Sequence, residues 1–235
     1  GLTTTGATVL SPITETFSAP LHLWRVMIHW IGGLGIIVLF VALFPAVGSD
    51  TRRIVLNEAA GPRAGSTQPR VRDTAKQIFA IYTILTILCF GAYCLTGLSY
   101  FDALAHAFST LGTGGFSPMN ESVGEFKSGL IDVVASLFMI VGAINCTLYP
   151  KALKRGVRVF WDNMECRVFL ILVMTAILLI TANLSWSVFE HPLEALRYAS
   201  FQVVATVTTT GFSTADYEAW PGASQLILIA LVFIG

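Results

Sequence analysis

Four stretches of this chain, about Leu21 to Val47, Ala75 to Gly97, Gly129 to Tyr149 and Val168 to Leu184, are apolar over lengths that cross a hydrocarbon core. That core is roughly 30 Å thick and needs about 20 residues of helix. A fifth stretch starts at Ser224 and reaches Gly235. Segments of this kind take lipid as their solvent, and the expected fold is all-α and integral to a membrane. Composition agrees, because 54% of the 235 residues are hydrophobic and only 12% are charged. The mean hydropathy of +0.72 lies far outside the range of soluble globular domains.

The net charge is zero, but 11 of the 14 basic residues fall in two loops. Arg52, Arg53, Arg63, Arg70, Arg72 and Lys76 follow the first span, and Lys151, Lys154, Arg155, Arg158 and Arg167 follow the third. The positive-inside rule puts both loops in the cytoplasm and the segments around Thr4, Thr113 and Thr209 on the outer side. A polybasic lipid-binding switch is the alternative reading of the same charges. The chain opens Gly-Leu-Thr-Thr-Thr-Gly, without Met or a basic leader, so both ends are expected to be cuts through longer elements. Cys89, Cys94, Cys146 and Cys166 show neither CxxC spacing nor nearby histidines and read as small buried hydrophobes.

The outer segments repeat. They read Thr4-Thr5-Gly6-Ala7-Thr8, Thr113-Gly114-Gly115-Phe116-Ser117 and Thr209-Thr210-Gly211-Phe212-Ser213. Each is Thr, any residue, Gly, an apolar residue, then a hydroxyl. In the second copy Tyr100 to Leu111 is a half-length amphipathic helix leading into the turn, and Leu193 to Val207 does the same in the third. The unit is therefore helix, re-entrant pore helix, Gly-Thr loop, helix. Non-helical backbone at membrane depth survives only where protein encloses it or it lines a water-filled path, so three such loops imply an internal polar axis.

A cation entering that interior loses hydration worth tens of kcal/mol, and rings of oxygen ligands must replace it. Backbone carbonyls and threonine hydroxyls supply those oxygens without fixed charge. Pointing consecutive carbonyls at one axis takes the backbone out of the ordinary helix and strand regions, which glycine permits at little cost. Each pore helix ends at its loop, so the negative end of its dipole faces a cation there. One Thr-Thr-Gly by itself would be read as a helix cap or turn; three copies in register are read as a cation path.

These Thr-x-Gly-[Ala/Phe]-[Thr/Ser] loops in helix, pore-loop, helix units resemble the Trk/Ktr/HKT family of potassium transporters, and the resemblance covers essentially the whole chain. It implies a potassium-channel-like arrangement around a central pore. Residues 1–48 would be the filter loop and inner helix of repeat 1, 49–74 a cytoplasmic loop, 75–150 a complete repeat 2, 151–166 a second cytoplasmic loop, and 167–235 a repeat 3 truncated in its inner helix. The family's fourth repeat and its intramembrane gating loop are absent from these residues. The resemblance assigns Gly6, Gly115 and Gly211 as filter glycines, with the carbonyls of Thr4, Thr5, Thr113, Gly114, Thr209 and Thr210 completing the potassium site. Some sodium-favouring relatives carry Ser at the first filter glycine, so Gly6 implies potassium. The resemblance also implies a homodimer seated on a cytosolic ring of nucleotide-binding regulatory subunits, in a bacterial inner membrane. No cofactor is implied beyond potassium as substrate, and the partners are the ion, the bilayer and these proteins, not nucleic acid.

Other residues carry weaker signals. Glu15, Asp102, Asn120, Glu121, Glu125, Glu190, Glu194, Asp216 and Glu218, with Pro118, gather on the outer side, as a cation-attracting mouth or a plain solvated face. Arg25 and His29 lie in the first span, where snorkelling and packing are expected of them. Asn145 is read as glue to an adjacent helix, and Gly32, Gly33 and Gly35 as a point of close helix packing. Asn120-Glu121-Ser122 and Asn183-Leu184-Ser185 match the glycosylation pattern, a frequent chance match. The chain has no Ser/His/carboxylate set, Walker loop or dinucleotide fingerprint, so it is not expected to be an enzyme. Two competing readings are an ion-coupled secondary transporter of another solute, which predicts inverted repeats, and a scaffold subunit whose Gly-Thr turns only cap helices.

Overall fold

The computed structural model describes residues 1–6, 18–35 and 67–235, with 67–75 as backbone. Ala7 and Thr8 of the first motif copy, Glu15, the 36–47 part of the first apolar stretch and Arg52, Arg53 and Arg63 of the first basic loop lie outside the described residues, as do the side chains of Arg70 and Arg72.

Among the described residues all regular structure is helical. Helix α1 runs through 19–35. It is followed by α2 (Thr67–Leu95), α3 (Tyr100–Leu111), α4 (Gly129–Ala143), α5 (Leu148–Arg155) and α6 (Arg158–Asp162). The chain continues with α7 (Met164–Ser187), α8 (Pro192–Val207) and α9 (Gly222–Ile234). One 3-10 turn, Ser122–Phe126, precedes α4, and another, Tyr217–Ala219, precedes α9. The order long helix, short helix, Gly loop, 3-10 turn, apolar helix thus occurs twice along the chain.

Lys76–Leu95 and Met164–Ser187 are long and apolar enough to span, with mean hydropathies of 2.2 and 2.4, and only 28% of each window is buried within the protein. Exposed Ile84, Ile87 and Leu88 on α2, and Ile171, Met174 and Leu178 on α7, form the remaining faces. Lipid is as apolar as these side chains, so helix association rests on close packing and interhelical hydrogen bonds. The Trp30 indole donates to Thr86 Oγ1 at 2.9 Å, the Tyr93 and Thr110 hydroxyls pair at 2.9 Å, and Asn183 Nδ2 donates to Ser224 Oγ at 2.9 Å. The last bond spends the amide of one glycosylation-pattern asparagine inside a helix pair. Cys89 and Cys166 are buried as expected, whereas Cys94 and Cys146 are half-exposed.

The short helices start where the sequence supplies caps. Ser99 Oγ accepts from Asp102 N at 3.1 Å and donates to its carboxylate at 2.7 Å, which fixes the first turn of α3. Pro192 opens α8 at a position whose N–H would have no partner.

The third apolar stretch is not one straight helix. It stops at Ala143, and α5 leaves at 100° to α4. Asn145 is the cause: instead of bridging to another helix, its Oδ1 accepts from Thr147 N at 3.0 Å and Thr147 Oγ1 at 2.8 Å. That local turn competes with helix. Pro150, which has no N–H, then falls in the first turn of α5, where none is needed.

Helices α4 and α8 are tied by an ion pair, Arg197 Nε donating to Asp132 Oδ2 at 2.6 Å. The carboxylate side chain is 4% exposed and the arginine 33%. Removing one partner of a buried pair strands the other charge, whereas removing both does not. Arg197→Ala, which strands the buried carboxylate, should therefore lower the thermal midpoint of the full-length protein in detergent more than Asp132→Ala/Arg197→Ala does. A coupling of about 1–3 kcal/mol is expected from the cycle, and additive losses would show that the pair carries nothing.

Candidate functional site

The three Thr-x-Gly loops share one backbone. Thr4, Thr113 and Thr209 have φ of 51°, 47° and 56°, and Gly6, Gly115 and Gly211 have φ of 72°, 71° and 78°. The residue between, Thr5, Gly114 or Thr210, keeps a negative φ. A β-branched residue in the left-handed region is a genuine outlier and costs on the order of 1–3 kcal/mol. The three copies therefore share one order of backbone handedness, left-handed at the threonine and at the glycine and not at the residue between. The same i to i−3 bond closes each copy: Thr4 N to Gly1 O at 3.0 Å, Thr113 N to Thr110 O at 3.2 Å, and Thr209 N to Thr206 O at 3.0 Å.

The loops also touch in sequence. A Cβ on Gly6 would lie 2.3 Å from the Gly114 carbonyl oxygen, and one on Gly115 would lie 2.2 Å from that of Thr210. The first two loop glycines thus rest on the middle carbonyl of the next loop. Nothing lies within 4 Å of a Cβ on Gly211. It borders instead a cavity of about 650 Å³ shared with Thr209, Ser213, Gln202 and Glu218. Among the described residues no group of three His, Cys, Asp or Glu side chains is placed to hold a metal. The oxygens on offer at these loops are carbonyls and hydroxyls.

The residues behind the loops were not all readable from the sequence. His106, fully buried on α3, has Nδ1 at 2.8 Å from the Asp102 carbonyl and Nε2 at 3.1 Å from Ser117 Oγ. A carbonyl can only accept, so Nδ1 carries the proton and Nε2 accepts from Ser117. Ser117 in turn accepts from Met119 N at 3.0 Å. His106 thereby ties the pore-helix candidate to the hydroxyl that ends its own motif. Gln202 holds the same register before Gly211 as His106 does before Gly115. That shared buried polar position is the signal that would have found His106.

The outer acidic residues are partly structural. The Asp102 carboxylate accepts from the Ser99 hydroxyl that caps α3, and Asp216 Oδ1 accepts from Glu218 N at 3.1 Å. Glu125 Oε2 accepts from Glu121 N at 3.3 Å.

A second repeat lies in the helices after the loops. A Cβ on Gly32 of α1 would meet the Leu2 carbonyl at 2.3 Å, and one on Gly235, just after α9, the Val207 carbonyl at 2.4 Å. Gly142 of α4 faces Leu111, with its nearest atom at 3.6 Å. Leu2, Leu111 and Val207 each precede their loop glycine by the same interval. In every copy, therefore, a glycine seats the following helix on the same turn ahead of the loop.

Helices long and apolar enough to cross a membrane, short helices and repeated Gly loops together define an all-helical membrane fold. A family model described as TrkH, cation transport protein, matches residues 1–235, and the chain belongs to that family. It is 39% identical over its whole length to the Trk system potassium uptake protein TrkH of Halomonas elongata, covering 49% of that protein. It is 33% identical to TrkG of Escherichia coli, again over all of this chain and 49% of the relative. The crystal structure of the potassium transporter TrkH from Vibrio parahaemolyticus superimposes with a TM-score of 0.85 at 34% identity, over 98% of this chain and 47% of that one. The chain spans about half the length of these relatives.

The glycine contacts yield a contrast. Gly32→Ala presses on backbone, whereas Gly142→Ala has room. In thermal unfolding of the full-length protein, Gly32→Ala should cost on the order of 1–3 kcal/mol and Gly142→Ala close to nothing. Equal losses would remove the close contact at Gly32 as an explanation.

Proposed function

We propose that the chain forms most of a potassium-selective path in which dehydrated ions pass rings of carbonyl oxygens from Thr4, Thr5, Gly6, Thr113, Gly114, Gly115, Thr209, Thr210 and Gly211. The observation that carries this reading is the shared left-handed pattern of the three loops, with Gly6 and Gly115 each resting on the middle carbonyl of the following loop. Neutral oxygens on neighbouring loops replace a hydration shell without trapping the ion by fixed charge. The ends of α3 and α8 at their loops add the negative end of a helix dipole. Relatives named as Trk system potassium uptake proteins support potassium as the substrate.

The third loop's open side and its cavity are where a fourth loop would close the ring, supplied by the remaining half of a protein of the relatives' length. Assembly as a homodimer on a cytosolic nucleotide-binding ring in a bacterial inner membrane belongs to the same reading, and rests on the family alone. The basic loops at 52–76 and 151–158 are the surfaces that would meet such a ring.

The test is potassium and sodium flux through the full-length protein in liposomes under an imposed voltage and no proton gradient. Wild type should favour potassium, and Gly115→Ser, whose side chain would meet the Thr210 carbonyl, should lose that preference. Absence of voltage-driven flux would move the reading to an ion-coupled transporter, and selectivity indifferent to Gly115→Ser to a scaffold.

A further inference from the structure

The three loops share a backbone but not a support. In the first copy the Thr3 and Thr5 hydroxyls pair at 2.8 Å, and in the third the equivalent Thr208 and Thr210 hydroxyls pair at 2.8 Å. Each pair bridges the residue before the left-handed threonine to the residue after it and braces the turn. The second copy has glycine at both places, Gly112 and Gly114, so it has no such brace.

The space is filled from another unit. A Cβ on Gly114 would lie 2.0 Å from His29 Nδ1 and 2.5 Å from His29 Cγ, and one on Gly112 would lie 3.0 Å from the His29 carbonyl oxygen. His29, on α1, is fully buried, and neither ring nitrogen has a hydrogen-bond partner. Its ring stacks on Phe116, the residue after the loop glycine, at 3.8 Å between centroids and 11° between planes. Arg25, one turn earlier on α1, sets its guanidinium carbon 3.7 Å from the centre of the same ring. Two groups that close to one ring centre cannot share a face, so Phe116 is held between them.

We infer that His29, with Arg25, is a positioning element for the second loop: it takes the place of the threonine brace and holds Gly114 to Phe116 from the neighbouring unit. With Gly32 and Gly142 in register, Arg25 and His29 correspond to Ala135 and Met139 of α4. The third loop therefore has no such clamp and keeps its own hydroxyl pair. The buried imidazole acts by shape and stacking. A displacement of α1 would reach the carbonyl of Gly114, against which Gly6 rests, so one helix sets two loops at once.

This inference rests on the reading of the loops as an ion filter, and the experiment separates the two. Potassium and sodium permeabilities of the full-length protein in liposomes are compared for wild type, His29→Ala, His29→Asn, His29→Ala/Gly114→Thr and Gly115→Ser. His29→Ala should lower the potassium-to-sodium ratio roughly tenfold, the scale of coupling between contacting residues. His29→Asn keeps atoms where His29 Cγ and Nδ1 abut Gly114 and should lose less. His29→Ala/Gly114→Thr refills the space and should recover most of the ratio, which a general loss of stability would not allow. If His29→Ala fails to reach the membrane, the double variant decides alone, and its failure to fold or to select would overturn the proposal. An unchanged ratio in His29→Ala beside a collapsed one in Gly115→Ser would overturn the positioning role and leave the filter standing. Indifference to both substitutions would overturn the filter itself.

Discussion

The contact between a loop glycine and the middle carbonyl of the next loop sets the terms for everything around it. At 2.2 to 2.3 Å from a would-be Cβ there is room for no side chain, so the loops approach as bare backbone. Backbone brought together in this way inside a membrane fold must find partners for its polar groups outside the regular helix ladder. The threonines held left-handed add strain of their own. The i to i−3 bonds, the helix glycines seated on Leu2 and Val207, and the rings packed behind Phe116 together over-determine the turns and offset that cost.

What the sequence made legible follows from local chemistry. The spans declare themselves by apolar length, and the Thr-x-Gly motif recurs because the alternating backbone needs glycine at its third residue. The α3 range, Tyr100–Leu111, agrees with the reading because Ser99 caps it and Gly112 ends it. The 100° elbow after Ala143 was missed because hydropathy continues through Asn145, whose side chain diverts the chain by hydrogen bonds that an apolar average does not register. Long-range partners were beyond reach for another reason. Nothing local in Asp132 or Arg197 announces the other 65 residues away. Arg25 and His29 were expected to snorkel and to pack, and only the fold shows both closing on Phe116.

The glycines following the loops are a further case. Gly32, Gly142 and Gly235 lie 26, 27 and 24 residues beyond their loop glycines, so no fixed period exposes them. The connecting segments differ in length, and helices that reach the same contact by different routes shift their register. Their equivalence is visible only through what they touch, one carbonyl-bearing turn in each unit.

The unlike supports bear on what the loops are for. If the Gly-Thr turns served only to cap helices, the feature held in common should be the capping hydroxyl. The second copy has instead lost both braced threonines and replaced them from another helix. What stays constant is the main chain, with φ of the threonines within 9° and of the glycines within 7° across copies whose side chains differ. A backbone path kept while its scaffolding is exchanged supports the proposal that the main chain, and not the capping hydroxyls, is what the loops are built to present. Under the proposed reading, neutral carbonyls on neighbouring loops would suit a cation that must shed its water and still leave.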